Sequence, residues 1–183
     1  MLSFEVLTEA DLFLLIELEQ VIFGAEAWSE SMLMDELTLP DRLYIGAYQG
    51  EDLLGYAGVR LGWDTDLMTV GVLPLQRGRG VGRALVKELL RRVASVRFAP
   101  DHSIFIQDPL APEVDFVSPG HIARPVRRVE RVILEVRESN LAAINLYSSL
   151  GFETEGHIKK YYRHPVEDAL VMIMELTKSA PVS

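Results

Sequence analysis

The 183-residue sequence contains no cysteine, which excludes disulfides, thiolate metal ligands and a cysteine nucleophile. No apolar run approaches the length of a membrane span. Residues 1–12 lack a basic segment followed by a cleavable apolar stretch, so we expect no membrane anchor and a cytoplasmic location. The net charge of −9 argues against direct nucleic-acid binding, which requires a basic surface. It is compatible with a cationic substrate.

The remaining composition is that of a globular domain, with 49% apolar and 25% charged residues. We expect one domain over residues 1–176, followed by a flexible tail over residues 177–183. Hydrophobic periodicity predicts a mixed α/β fold without internal repeats. The predicted strands cover residues 4–7, 43–48, 53–61, 66–72, 131–136, 153–158 and 169–176. The predicted helices cover residues 12–22, 29–37, 80–96 and 140–150.

A proline-rich segment interrupts this alternation, because five of the nine prolines lie between Arg97 and Arg128. A loop of that length is unusual in a compact domain, and is often functional or partly disordered. Its two histidines, His102 and His121, lack the spacing of a metal site, so we interpret them as surface residues. The segment follows the C-terminal end of a helix, and we predict that it lies away from the site at the N-terminal end of that helix.

The run from Gln76 to Arg83 stands between a strand and an amphipathic helix. It predicts an anion-binding site at the N-terminal end of that helix. Its three glycines let the backbone approach an anion, and the first N–H groups of the helix favour negative charge. The spacing does not fit a nucleotide P-loop or a dinucleotide fingerprint. A glycine-rich turn that only begins a helix stays open. The pattern formed by Arg77, Gly80 and Gly82 resembles the pyrophosphate loop of the Gcn5-related N-acetyltransferases (GNAT), which bind acetyl-CoA.

Three residues further along are candidates for chemistry. Glu135 lies in an apolar strand that we expect to be parallel to the strand before it and buried on both faces. Burial disfavours the ionised carboxylate and raises its pKa, which suits a general base. An ion pair with Arg137 is an equally open alternative. Tyr147 and Asn140 share a helix face, and their structural alternatives are a core aromatic and a helix N-cap.

These residues belong to a longer series that resembles the bacterial ribosomal-protein-alanine N-acetyltransferases, the RimI group of the GNAT superfamily. The matching positions are Leu134-Glu135-Val136-Arg137, Ser139-Asn140, Ala143, Leu146-Tyr147, Leu150-Gly151-Phe152, Ala27-Trp28-Ser29-Glu30, Tyr161-Tyr162 and Glu167-Asp168-Ala169. The resemblance covers nearly the whole chain except residues 97–128, which look like an insertion.

The resemblance implies a GNAT fold: a central mixed sheet, flanked by helices, whose two parallel strands splay apart to admit cofactor and acceptor. It implies acetyl-CoA as the donor, without a metal. Glu135 would accept a proton from the attacking amine, and Tyr147 would protonate the departing CoA thiolate. The implied cofactor contacts are Val70, Gly71, Val72, Arg77, Gly78, Arg79, Gly80, Val81, Gly82, Arg83 and Asn140. The implied acceptor contacts are Trp28, Tyr161 and Tyr162.

The expected acceptor is a protein N-terminus, first of all the alanine of a ribosomal protein. At pH 7 about a tenth of α-amines are neutral, against fewer than about one lysine in a thousand, because their pKa values differ by about 2.5 units. A single carboxylate base is therefore better matched to α-amines, and without cysteine a direct attack in a ternary complex is expected. The alternatives are a lysine or small amine as acceptor, or a non-catalytic acyl-CoA-binding protein. The oligomeric state is not predicted.

Overall fold

The computed structural model describes residues 1–99, 103–106 and 127–176. The predicted tail at 177–183 and the two histidines His102 and His121 lie outside the described residues.

Ten strands and four α-helices make up the described part of the chain. The strands are β1 Ser3–Val6, β2 Arg42–Gln49, β3 Asp52–Arg60, β4 Asp64–Val72, β5 Val96–Phe98, β6 Ile104–Ile106, β7 Arg127–Arg128, β8 Arg131–Arg137, β9 Glu153–Arg163 and β10 Val166–Glu175. The helices are α1 Leu12–Phe23, α2 Glu30–Thr38, α3 Val81–Ala94 and α4 Leu141–Ser148. Short 3₁₀ turns lie at Glu9–Asp11, Gly24–Glu26 and Pro74–Gln76. Among the helices of this part, none is both long and apolar enough to cross a membrane.

Seven strands form the main sheet, in the order β1-β2-β3-β4-β8-β10-β9. Every neighbouring pair is antiparallel except β4 and β8, which are parallel. These two strands pair only from Asp64–Arg131 to Asp66–Ile133. Beyond that point β4 continues to pair with β3 as far as Val72, while β8 pairs with β10. The predicted mixed sheet is confirmed, and its two parallel strands diverge as expected.

The sheet separates two apolar cores. In α3, residues Val81, Leu85, Leu89 and Val93 form the buried stripe that the 3.6-residue period predicts. They pack with strand residues and with Tyr147 of α4 in the larger core. The second core lies under α1 and α2, and contains leucines of both helices together with Tyr44 and Tyr56 of the sheet. Each fully buried leucine contributes about 1.5–3 kcal/mol of transfer free energy, so these stripes fix the helices on the sheet.

Several predicted boundaries are wrong, and one predicted loop contains strands. The helix expected to reach residue 96 ends at Ala94, because Val96 begins the short strand β5. The strand expected at residues 153–158 continues to Arg163, because it pairs with β10 as far as Val166–Arg163. The proline-rich segment is not a loop throughout: Arg97 and Phe98 pair with Arg128 and Arg127, and β6 completes a three-stranded sheet. This small sheet follows the C-terminal end of α3, the end away from the glycine run.

Candidate active site

A cleft of about 580 Å³ opens where β4, α3 and α4 come together. Its lining includes nearly all the residues that the sequence assigned to the cofactor, and also Tyr147. Gly71 and Arg79 are the exceptions. Gly71 is buried against Tyr56 and α1, since an added Cβ would come within 3.0 Å of the Tyr56 ring and 3.1 Å of Ile22. Arg79 is exposed beside Gln76.

The glycine run forms one wall of this cleft. Gly78 and Gly80 have φ angles of +74° and +84°, in the left-handed region that costs other residues about 1–2 kcal/mol. Gly80 is the N-cap of α3, a 14-residue helix, so the first N–H groups of α3 lie in the cleft wall. Gly82 has an ordinary φ, and an added Cβ would meet Val72 at 3.5 Å and Leu146 at 3.7 Å. The backbone is thus shaped for an anion here.

The three arginines of the run have neutral partners. The Nε of Arg77 donates to the Val72 carbonyl at 3.1 Å, and Arg79 donates to the Gln76 side chain at 3.4 Å. The Nη1 of Arg83 donates to the Ser149 hydroxyl at 2.8 Å, which connects α3 to the end of α4 across the cleft. Among the described residues, none of the three arginines pairs with a carboxylate, so their positive charge is available to an anionic ligand.

A second groove, which we call the acceptor groove, contains all three residues predicted to contact the acceptor, Trp28, Tyr161 and Tyr162. Its other lining residues are Glu19, Phe23, Ala25, Glu26, Met68, Thr69, Arg137, Arg163 and His164. Phe23, the last residue of α1, also lines the first cleft. The two sites therefore adjoin at the end of α1.

Glu135 does not have the environment that the sequence predicted. Its side chain is exposed rather than buried, because β4 no longer pairs with β8 beyond Ile133. The surrounding protein still reduces its hydration, and this desolvation, together with the negative charge of Asp66, raises the pKa of the Glu135 carboxyl. The proposed ion pair with Arg137 is wrong. The guanidinium of Arg137 binds Glu26 at 2.6 Å and Glu167 at 3.3 Å instead.

Tyr147 and Asn140 make the structural contacts that the sequence left open, and both also line the cleft. Tyr147 is 8% exposed and packs against Phe152, with ring centroids 5.7 Å apart. Burial raises its pKa to about 12, so the phenol keeps its proton throughout the physiological range. Within the described residues its hydroxyl has no hydrogen-bond partner, although the residue lines the cleft. Asn140 caps α4 by accepting from the Ala143 N–H at 3.2 Å, and it also lines the cleft.

The tyrosine pair connects the acceptor groove to the strand that carries Glu135. The rings of Tyr161 and Tyr162 meet edge to face, with centroids 5.1 Å apart. The Tyr162 hydroxyl donates to the Glu135 main-chain carbonyl at 3.3 Å, and the Arg137 guanidinium lies 4.0 Å from the centre of the Tyr162 ring. Desolvation raises the pKa of Tyr161, and the negative charges of Glu135 and Asp66 raise it further.

Comparison with known proteins agrees with this geometry. Residues 12–101 match the model of the acetyltransferase (GNAT) family. Over 172 residues the chain is 36% identical to N-alpha-acetyltransferase RimI of Mycobacterium tuberculosis, covering 91% of this chain and 87% of that relative. The chain belongs to the GNAT family. It is an N-acetyltransferase by family, and GNAT enzymes use acetyl-CoA.

Solved structures of other GNAT proteins share its fold. The ribosomal-protein-S18-alanine N-acetyltransferase of Escherichia coli superposes with a TM-score of 0.73 at 23% identity, covering 100% of this chain and 99% of that one. NAA60 of Arabidopsis thaliana, solved in complex with acetyl-CoA, gives a TM-score of 0.70 at 16% identity, covering 97% and 99%. At these identities the likeness shows the fold alone.

The first cleft of this GNAT protein has the chemistry that acetyl-CoA requires. The helix N-terminus and the arginines suit the phosphates, while Val70, Val72 and Leu146 offer an apolar wall for the pantetheine chain. The edge of β4 that faces away from β3 is unpaired from residue 67 to residue 72 within the described chain. Apart from the Val72 carbonyl, which accepts from Arg77, the N–H and C=O groups on this edge suit the amides of pantetheine and the acetyl carbonyl.

Several groove residues were not predicted from the sequence, among them Glu19, Glu26 and the groove-facing role of Arg137. A signal for Glu19 was present, because it follows Leu12 and Leu15 and precedes Ile22 at helical spacing, on the buried side of α1. No local signal marks the contact between Glu26 and Arg137, whose positions are 111 residues apart.

A group of possible metal ligands lies outside both clefts. His157 Nε2 is 3.3 Å from an Asp168 carboxylate oxygen and 3.6 Å from one of Glu138. Their ligand atoms lie within 4.8 Å of one another, but Glu138 and His157 are exposed. Since this is a surface ion-pair arrangement when His157 is protonated, we assign no metal to it.

Proposed function

We propose that this GNAT protein transfers the acetyl group of acetyl-CoA to the α-amine of a protein N-terminus, with an alanine-led ribosomal protein as the first candidate acceptor. The observation that supports this most is the meeting of the two sites. The cleft suited to acetyl-CoA adjoins the acceptor groove at Phe23, where β4 and β8 diverge. Tyr147 lines the cleft, and Glu135, which lines neither site itself, lies beside Tyr161 and Tyr162 of the groove.

Glu135 acts as the general base in this proposal. Acetyl-CoA supplies the thioester whose carbonyl carbon the amine nitrogen attacks, so that a C–N bond forms and the C–S bond breaks. The amine must lose a proton as it attacks, and the Glu135 carboxylate accepts it, directly or through a water. Its raised pKa increases its proton affinity and so suits this role.

Tyr147 acts as the general acid. Its hydroxyl is protonated at neutral pH and free of protein partners among the described residues, so it can donate its proton to the departing sulfur. The backbone around Val70, Gly71 and Val72 stabilises the negative charge that develops on the carbonyl oxygen, by hydrogen bonding from the unpaired edge of β4. The acetyl group passes directly to the amine in a ternary complex, because the chain has no cysteine to hold it as an acetyl-enzyme.

Two arguments favour an α-amine over a lysine as the acceptor: the pKa values of the two amines, and the similarity of this chain to an N-alpha-acetyltransferase. Glu135 is a single carboxylate base, and an α-amine needs about 3 kcal/mol less than a lysine to become neutral at pH 7. The M. tuberculosis relative is named as an N-alpha-acetyltransferase.

A matched peptide assay tests the proposal. One peptide begins with a free alanine and contains an internal lysine, and its twin has the same sequence with a blocked N-terminus. We expect release of CoA only with the free peptide, and mass spectrometry to locate the acetyl group on the α-amine. Spermidine in place of the peptide tests a small-amine acceptor. Acetylation of the blocked peptide or of spermidine, without acetylation of the free N-terminus, would contradict the proposal.

A further inference from the structure

Glu19 of α1 is a buried carboxylate that takes no part in the proton transfers proposed above. It is 2% exposed and lies beside the apolar core of α1, α2 and the sheet. A carboxylate in such a place is costly unless its oxygens are hydrogen-bonded. Desolvation raises the pKa of Glu19, and the Trp28 N–H opposes that effect. Because an apolar side chain would pack here at lower cost, the hydrogen bonds of Glu19 indicate its role.

Both oxygens of Glu19 have partners, and the partners belong to different parts of the molecule. Oε2 accepts the Trp28 N–H at 2.7 Å, and Oε1 accepts the Tyr56 hydroxyl. Trp28 lies in the connection between α1 and α2, where it forms a wall of the acceptor groove. Tyr56 lies in β3 and is completely buried. Glu19 therefore ties the groove wall to the sheet.

Tyr56 extends this connection to the acetyl site. It is the cross-strand partner of Gly71, and its ring would lie only 3.0 Å from a Cβ placed on Gly71. Ile22 and Phe23, one helical turn after Glu19, would also meet a Cβ placed on Gly71, at 3.1 and 3.3 Å, and both line the cofactor cleft. The Trp28 wall and the β4 backbone are thus held against one another through Glu19 and Tyr56.

We propose that Glu19 is a positioning residue that, with Tyr56, holds the Trp28 wall of the acceptor groove in register with β4 at Gly71, between the cleft residues Val70 and Val72, and so determines acceptor affinity. This inference rests on the proposed function. It assigns Glu19 no contact with the reacting atoms.

The chain contains a matched control in the same core. The Tyr44 hydroxyl donates to Glu36 at 2.7 Å, Tyr44 is 2% exposed, and its ring stacks on Tyr56 at 6.5 Å. This second tyrosine–glutamate pair lines neither cleft nor groove. Tyr44→Phe and Tyr56→Phe therefore each remove one buried tyrosine–glutamate hydrogen bond. Only the loss of the Tyr56 hydroxyl should affect the groove.

The kinetic test compares Tyr56→Phe and Glu19→Ala with Tyr44→Phe, and includes Glu19→Gln as the conservative replacement. We expect the first two to raise the acceptor KM about fivefold or more, and to leave the acetyl-CoA KM within about twofold. Glu19→Gln should recover part of the loss, because its amide oxygen still accepts from Trp28. Tyr44→Phe should lower the Tm without changing either KM. An unchanged acceptor KM in folded Tyr56→Phe and Glu19→Ala would reduce the pair to a stabilising contact and overturn the proposal.

A second readout does not depend on turnover. The chain has two tryptophans, so a Trp63→Phe background leaves Trp28 as the only indole fluorophore. We expect Tyr56→Phe to increase acrylamide quenching of Trp28, and Tyr44→Phe to leave it unchanged. Equal quenching in Tyr56→Phe and Tyr44→Phe would contradict the proposal. It would also be contradicted if the Glu19 and Tyr56 variants failed to fold while Tyr44→Phe folded. If the unsubstituted protein acetylates no amine, the proposed function fails, whereas the quenching result still tests the position of Trp28.

Discussion

The cofactor cleft and the acceptor groove are neighbours that share Phe23, yet they are built from different materials. The cleft is made largely of backbone: two glycines in the left-handed region, the N-terminus of α3 and the free edge of β4. The acceptor groove is made of side chains that come from α1, its following turn, β4, β8 and the β9–β10 hairpin. The anion-binding part of donor recognition is therefore local in sequence, whereas acceptor recognition depends on tertiary contacts throughout. Substitutions should separate the two accordingly.

The largest effect is expected at Glu135, beside the tyrosine pair of the groove. Glu135→Gln should lower kcat by about 100-fold, because the amine loses its general base, while calorimetry should show unchanged acetyl-CoA binding. Glu138→Gln, on an exposed acid just beyond the same strand, is the control and should keep full activity. Full activity of Glu135→Gln would remove the base from the proposed mechanism.

Tyr147→Phe comes next. The ring and its contact with Phe152 are kept, so the Tm should hardly change. The lost hydroxyl should lower kcat about tenfold or more, with little change in either KM, as expected for an interaction made in the transition state. Turnover at the level of the unsubstituted protein would leave Tyr147 as a core aromatic and nothing more.

Gly80→Ala tests the cleft without touching the acceptor groove. At a φ of +84° the alanine is strained by about 1–2 kcal/mol, and the start of α3 should shift. We expect the acetyl-CoA KM to rise about tenfold, and the acceptor KM to stay the same. Gly50→Ala is the matched control, since Gly50 has a φ of +64° in the β2–β3 turn and open space around it. Both variants should lose similar stability, and an equal rise in acetyl-CoA KM would refute the role of the loop.

Arg137→Ala is the reciprocal test. The side chain is largely buried, holds Glu26 and Glu167, and stacks on Tyr162, so its loss should loosen the acceptor groove. We expect the acceptor KM to rise about threefold to tenfold, since such contacts contribute about 0.5–1 kcal/mol each, and the acetyl-CoA KM to stay constant. Arg131→Ala at the other end of β8 breaks a comparable pair with Asp64 and should change neither KM. A rise in the acetyl-CoA KM alone would reverse the assignment of this region.

The smallest effect concerns pH. The negative charge of Asp66 helps raise the pKa of Glu135, whereas Arg60 lowers it and Tyr161 lies close by. Because a base must be deprotonated, activity should fall on acidification at a higher pH than an ordinary glutamate would give. Asp66→Asn should lower the Glu135 pKa, both by removing its charge and by releasing Arg60 from its ion pair. The acidic limb of kcat/KM should then move to lower pH, with Asp64→Asn as the control. A shift to higher pH would contradict the sign of this coupling.

The sequence predicted the cleft far better than the groove, for physical reasons. A turn that needs positive φ angles, followed by the start of a helix, is encoded by neighbouring residues, and glycines at positions 78 and 80 reveal it. Most helices and strands were also predicted, because the apolar stripe of α3 follows the helical period. Arg137 was given the wrong partner. Glu135 lies two positions away on the same strand face. However, β8 ends beside the β9–β10 hairpin, which brings Glu167, and beside Glu26 from far away in sequence.

The same limit explains Glu135 and Glu19. Sequence pattern indicated a buried strand, and β8 is one on the face that carries Leu134 and Val136. The point at which β4 leaves β8 has no sequence marker, so the exposure of Glu135 could not be read from the pattern. Glu19 lies on the buried side of α1, but the identity of its partners depends on how α1 packs over β3.

The small sheet at the base of the proline-rich segment has a consequence for the length of that segment. Because Phe98 and Arg127 are cross-strand partners, the two ends of the segment between them lie side by side. Lengthening or shortening what lies between them costs closure entropy that grows only with the logarithm of its length. Neither α3 nor β8 has to move when it changes. Outside the paired strand β6, changes in the length of this segment should therefore cost the domain little stability.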